Sequence, residues 1–99
     1  MNNECCGSKR KERSEEEKKR LINRLSRIEG QVRGVRGMVE KDAYCTDILL
    51  QVTAIASALD AFQRELLCEH IRTCVVQDIR DGRDETVEEL IETLRRIKG

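Results

Sequence analysis

From Thr46 to Arg80 the chain contains neither proline nor glycine, so nothing in that stretch can make a tight turn or stop a helix. Its apolar residues, Ile48, Val52, Ile55, Leu59, Phe62 and Leu66, recur alternately four and three apart. That spacing puts them on one stripe of a long α-helix. Continuing the phase forward reaches His70 and Cys74, and stepping back three from Ile48 reaches Cys45. Three metal-ligating side chains therefore stand where core residues would.

His70 and Cys74, four apart, share a helix face. Cys45 lies 25 residues before His70, roughly 37 Å along a helix at ~1.5 Å per residue. A single site built from all three needs a second chain. Two such helices packed antiparallel bring Cys45 of one subunit towards His70 and Cys74 of its partner, and two-fold symmetry makes two equivalent sites. Two thiolates and an imidazole are a soft, low-coordinate donor set, which suits Cu(I) or zinc and serves hard ions poorly. Zinc prefers four ligands and would need water or Glu69 as well, so three-coordinate Cu(I) fits better. The alternative is that these are ordinary buried cysteines and a satisfied core histidine. Cys68 falls off the stripe and reads as packing.

The chain has 99 residues, enough for one domain at most. A chain so short buries only about 60–70% of its unfolded surface, which favours assembly into a homo-oligomer. There is no proline, and Tyr44 and Phe62 are the only aromatic residues, a composition that reads as all-α. No run of apolar residues approaches the ~20 needed to span a bilayer, and the N-terminus is polar, so no membrane partner and a cytoplasmic location are expected. In that compartment the five cysteines are poorly explained by disulfides. There is no C-x-x-C motif to suggest a thiol oxidoreductase, and no enzymatic site is expected.

Residues 1–13 are polar and basic apart from the adjacent Cys5 and Cys6, and are expected to form a flexible arm, with residues 14–99 the helical domain. Ser14 and Glu17 form a capping-box pattern that starts a helix over about 15–40, with a stripe of Leu21, Leu25, Ile28, Val32, Val35 and Val39. Gly30, Gly34 and Gly37 inside it mark either a close approach or simple tolerance. Lys41 to Tyr44 connects to the second helix, which Asp42 or a neighbour caps. Asp81-Gly82 ends that helix. A third starts near Asp84 to Thr86, with Val87, Leu90, Leu94 and Ile97 on one stripe.

Net charge is zero, but residues 1–41 carry twelve Lys and Arg against seven Asp and Glu. The basic half is a candidate for an anionic partner.

Together, Tyr44-Cys45, His70-x-x-x-Cys74, Asp81-Gly82 and the segment Asn23-Arg24-Leu25-x-x-Ile28-Glu29-Gly30-Gln31-Val32-x-Gly34 resemble the copper-sensing operon repressor (CsoR) family over residues 15–98. The resemblance implies a three-helix subunit, an antiparallel four-helix-bundle dimer, and a dimer of dimers. It implies a repressor that binds operator DNA without a helix-turn-helix and releases it on binding Cu(I), turning on copper export or chaperone genes. Carried over by position, the copper ligands are Cys45 of one subunit and His70 and Cys74 of the other. Tyr44 and a carboxylate of the third helix, Glu89 or the adjacent Glu88, lie behind them. Nickel and cobalt relatives use additional histidines, whereas this chain has one. Persulfide relatives lack the histidine and formaldehyde relatives lack the second cysteine.

On this reading Lys18, Lys19, Arg20, Arg24, Arg27, Arg33 and Arg36 of the first helix face DNA, and Arg24 matches a basic position tied to DNA binding in the family. A second such position is Ala61 here, with Arg64 as a substitute. Each phosphate contact should steepen the loss of affinity by ~0.9 log units per log unit of salt. Two alternatives stand beside the copper repressor: a persulfide- or thiol-responsive repressor using Cys45 and Cys74, and a structural helical bundle that binds metal in passing.

Overall fold

The computed structural model describes residues 13–97. The expected basic arm lies outside them but for Arg13, and so do Cys5 and Cys6. The described residues contain four α-helical elements and no strand: α1 (Glu15–Glu40), α2 (Cys45–His70), α3 (Val76–Arg80) and α4 (Glu85–Arg96). Between α2 and α3 the backbone does not leave the helix but widens into a five-residue π-helical segment, Ile71–Val75. Helical backbone is thus continuous from Cys45 to Arg80, and the chain has the all-α, three-rod subunit that its periodicity implied.

The start of α1 follows from local chemistry. Ser14 Oγ accepts the Glu17 N–H at 3.1 Å, and Glu17 Oε1 accepts the Ser14 N–H at 3.3 Å, so the capping box closes in both directions. Glu15, Glu16 and Glu17 place negative charge at the positive end of the helix dipole.

Both long helices end in the same way. After α1 the Asp42 N–H reaches Val39 O at 3.1 Å and the Ala43 N–H reaches Met38 O at 2.9 Å. After α3 the Gly82 N–H reaches Ile79 O at 3.0 Å and the Arg83 N–H reaches Asp78 O at 2.9 Å. These are paired Schellman bonds, which require a left-handed residue just past the helix. Gly82 supplies it with φ of 77°, and Asp42 supplies it with φ of 57°. Asp42 therefore terminates α1 and does not cap α2 as its sequence context suggested. Instead the Tyr44 carbonyl receives the first bonds of α2, from Asp47 and Ile48.

The chain divides into two compact parts, residues 13–65 and residues 66–97. In the first, Leu21 and Ile28 are the buried apolar side chains, while Leu25, Val32, Val39, Val52 and Leu59 of the two stripes remain exposed. In the second, Cys74 and Val75 are buried with Glu69, Asp78 and Thr86, and the π-helical segment and α3 both contact α4. No described side chain falls below 2% exposure. An apolar stripe left half in water costs the subunit the burial that would fix it, roughly 25 cal/mol per Å².

The helix from Cys45 to Arg80 contains an 18-residue stretch of mean hydropathy 1.4, long and apolar enough to cross a membrane by length and composition alone, a test that the core helix of a soluble protein also passes. Polar and charged residues, among them Asp47 and Asp60, interrupt that helix, so it is not the uninterrupted apolar run that the sequence argument looked for. Among the described residues, nothing beyond the neighbouring residues and backbone of α1 itself lies within 4 Å of the place a Cβ would occupy at Gly30, Gly34 or Gly37.

Candidate metal site and basic face

Cys45 opens α2 and His70 closes it, with the π-helical segment beginning at the next residue. His70 is half-buried and Cys74 is 2% exposed, whereas Cys45 is an exposed free thiol. Among the described residues, no group of three or more His, Cys, Asp or Glu side chains could hold a metal ion. The donor set Cys45, His70 and Cys74 fits a soft cation in kind, two sulfurs and one nitrogen. As a ligand, Cys74 must be present as a free thiolate. Cys68 is a free, exposed thiol, not the packed residue expected.

The π-helical segment was not anticipated. Its widened turn is made by the Val76 N–H bonding to Ile71 O, five residues back. Thr73 Oγ1 donates to Glu69 O at 2.8 Å and lies 3.8 Å from Cys74 Sγ. A hydroxyl that bonds back four residues bends or loosens a helix, and single π turns concentrate at functional positions. A sequence signal existed in Ile71, Thr73, Val75 and Val76, a cluster of β-branched side chains that crowd a regular turn. Glu69, considered as a fourth ligand for zinc, is 6% exposed.

Behind Cys74, one turn on, stands Asp78, which sequence reasoning passed over. It is 5% exposed. Its Oδ1 accepts from Arg83 Nη2 at 2.9 Å, and its Oδ2 accepts the Thr86 N–H at 3.3 Å. The Thr86 hydroxyl, outweighing the opposing effect of burial, together with the Thr86 N–H and Arg83, holds the Asp78 carboxyl below its usual value. That hydroxyl, Thr86 Oγ1, is buried and meets no partner in full hydrogen-bond geometry, so it acts on the carboxylate as a nearby dipole. Glu88 and Glu89, the carboxylates singled out on the last helix, are exposed on α4, as is Tyr44 at the start of α2.

The basic residues of α1 sort into two groups. Arg20 and Arg24 are both paired with Glu65 of α2, at 2.8 and 3.0 Å. Arg36 pairs with Glu40 one turn on, and Arg64 pairs with Asp60 within α2. Exposed pairs of this last kind contribute little, about 0–1 kcal/mol, and leave the cation available. Lys18, Lys19, Arg27 and Arg33 make no ion pair among the described residues. Arg20, Asn23, Arg24 and Arg27 line an open hollow of about 350 Å³. Glu65 carried no signal in the sequence, since its partners lie more than forty residues away.

Residues 17–96 match the model of a family described as metal-sensitive transcriptional repressors. The chain is 42% identical over 86 residues to the copper-sensing transcriptional repressor CsoR of Bacillus subtilis, covering 86% of this chain and 85% of that one. Its fold is similar to that of the Cu(I)-bound copper-sensing repressor CsoR of Geobacillus thermodenitrificans, with a TM-score of 0.84 and 44% identity over 87% of this chain and 91% of that one. The nickel-responsive transcriptional regulator InrS is also similar, with a TM-score of 0.71 and 39% identity over 87% of this chain and 94% of that one.

Proposed function

The chain belongs to the metal-sensitive transcriptional repressors, in the branch of the CsoR family, and we propose that within it this protein is a Cu(I)-responsive repressor working in the cytoplasm. In this reading the reduced, metal-free homo-oligomer holds operator DNA through the basic face of α1. Cu(I) is bound between subunits by Cys45 of one chain and His70 and Cys74 of the other, and binding releases the DNA and the genes for copper export or chaperoning. Similarity to both copper and nickel sensors leaves the metal to be argued from the donors. One histidine in the whole chain and two cysteines on the stripe favour the softer ion.

The observation that carries the proposal is the split donor set. Cys74 is buried four residues after half-buried His70, Cys45 begins the helix that His70 closes, and no sufficient cluster forms among the described residues. When bound, the ion would supply a bond between subunits that favours one arrangement of the helices. For release to follow, copper must bind the DNA-free arrangement more tightly, and a typical coupling of about 1–3 kcal/mol corresponds to roughly 5–150-fold in DNA affinity. Tyr44 and Glu89, or the adjacent Glu88, are assigned the task of passing the change from His70 to α4.

X-ray absorption of the reduced protein, loaded anaerobically with one Cu(I) per subunit, tests this directly. Two sulfurs and one nitrogen in three-coordinate geometry are expected. Sulfur-only coordination, or copper-driven DNA release that survives His70→Ala, would sink the site. The exposed free thiol of Cys45 favours one second reading, a thiol-responsive repressor using Cys45 and Cys74. Mass spectrometry after treatment with a sulfide donor, with DNA binding followed in parallel, separates the two.

A further inference from the structure

Arg20 and Arg24 stand one turn apart on α1, so their guanidinium groups share a face and repel each other. Between them comes a carboxylate from another helix. Glu65 Oε2 accepts the Nε–H of Arg20 at 2.8 Å, and Glu65 Oε1 lies 3.0 Å from Nε of Arg24. The arginine side chains remain 55% and 41% exposed while Glu65 is 24% exposed, so the carboxylate sits beneath the cations and does not screen them from solvent. With Arg20 held at Nε, both of its Nη groups remain to donate elsewhere. The hollow that the two arginines form with Asn23 and Arg27 is lined by side chains rich in N–H donors, as an anionic oxygen cluster requires.

Resting on the reading of the chain as a DNA-binding repressor, we infer that Glu65 is a positioning residue of the DNA face. It fixes Arg20 and Arg24 as an outward pair, so that the hollow accepts a backbone phosphate of duplex DNA. Coulomb's law alone argues the opposite sign, since a carboxylate near a phosphate repels it and its removal should tighten binding. Positioning argues for weakening, because two long, rotamer-rich side chains would have to be ordered at the moment of binding. The two effects oppose each other, and the mutant decides between them. Glu65 also belongs to α2, the helix that ends at His70, which ties the arginine pair to the element carrying the candidate metal ligand.

The probe is the duplex that the reduced, metal-free wild-type chain selects from a random-sequence pool, with affinity read by fluorescence anisotropy. Glu65→Ala is expected to weaken binding about tenfold. Glu65→Gln, which keeps one acceptor oxygen, should fall between Glu65→Ala and the wild type. With Arg20 and Arg24 both replaced by Ala, Glu65→Ala should have no further effect, an outcome that a merely structural role would not produce. The Nε–H signals of Arg20 and Arg24 in NMR spectra should be ordered in the wild type and averaged in Glu65→Ala. Unchanged or tighter binding by Glu65→Ala, with helix content preserved, would overturn the inference and leave the repressor reading standing. A wild-type chain that selects no duplex would overturn that reading, and the inference with it.

Discussion

Asp78 caps the helix that follows it: its Oδ2 accepts the N–H of Thr86 at 3.3 Å, in the first turn of α4. Asp84, which occupies the N-cap position of α4, makes no such bond. The first N–H groups of a helix have no partner inside it, so a carboxylate there is favoured both by hydrogen bonding and by the helix dipole. Because Asp78 belongs to α3, the cap also fastens α4 to the end of the helix that carries Cys74. Arg83, from the loop between them, closes the other carboxylate oxygen at 2.9 Å.

This arrangement predicts an acid-sensitive junction. A carboxyl whose folded pKa is depressed contributes stability above its unfolded value and loses that contribution as pH falls through the folded one. The ordinary value is 3.8 and that of Asp78 lies lower. The wild type should therefore be more stable than Asp78→Ala at neutral pH, and the difference should shrink below about pH 4 and vanish at lower pH. Thermal melts of both proteins by circular dichroism across that range provide the test. An undiminished difference at the acid end would mean that the charge of Asp78 is not what holds α4.

Asp42 predicts a change of the opposite sign. It occupies the left-handed position after α1 that Gly82 occupies after α3, and a side chain pays for that conformation where glycine does not. Replacing Asp42 with Gly should stabilise the protein by up to about 1 kcal/mol, the strain removed being partly offset by glycine's larger loss of backbone entropy. Gly82→Ala should destabilise by a similar or larger amount, about 1–2 kcal/mol. Denaturant titration of the three proteins checks both signs.

What could be read in the sequence was what neighbouring residues decide. The start of α1 was legible because Ser14 and Glu17 satisfy each other across three positions. Asp42 was misread for a related reason: an Asp just before a helix is a good N-cap in one backbone conformation and a helix terminator in another, and only the φ angle tells them apart. The π-helical segment broke no hydrophobic period, so periodicity passed over it. Asp78 and Glu65 were invisible because their partners, Thr86 and the Arg20–Arg24 pair, are chosen by tertiary structure. The candidate ligands Cys45, His70 and Cys74, by contrast, were picked out by their phase on a long stripe, and the need for a partner chain was argued from the length of helix between them.

The shared site can be tested by mixing mutant subunits. A Cys45→Ser chain keeps His70 and Cys74, and a chain with both His70→Ala and Cys74→Ser keeps Cys45. Neither homodimer contains a complete site under the intersubunit arrangement. In a mixed dimer one of the two sites receives Cys45 from one chain and His70 and Cys74 from the other, while its symmetry mate receives none of the three. Refolding the two mutants together in equal amounts should make about half of the dimers mixed, and so restore about a quarter of the wild-type capacity for tightly bound Cu(I). Competition against a Cu(I) chelator under reducing, anaerobic conditions measures that capacity. If the three ligands act within one chain, mixing restores nothing. If Cys45 is not a ligand at all, the Cys45→Ser chain binds copper at full stoichiometry before any mixing.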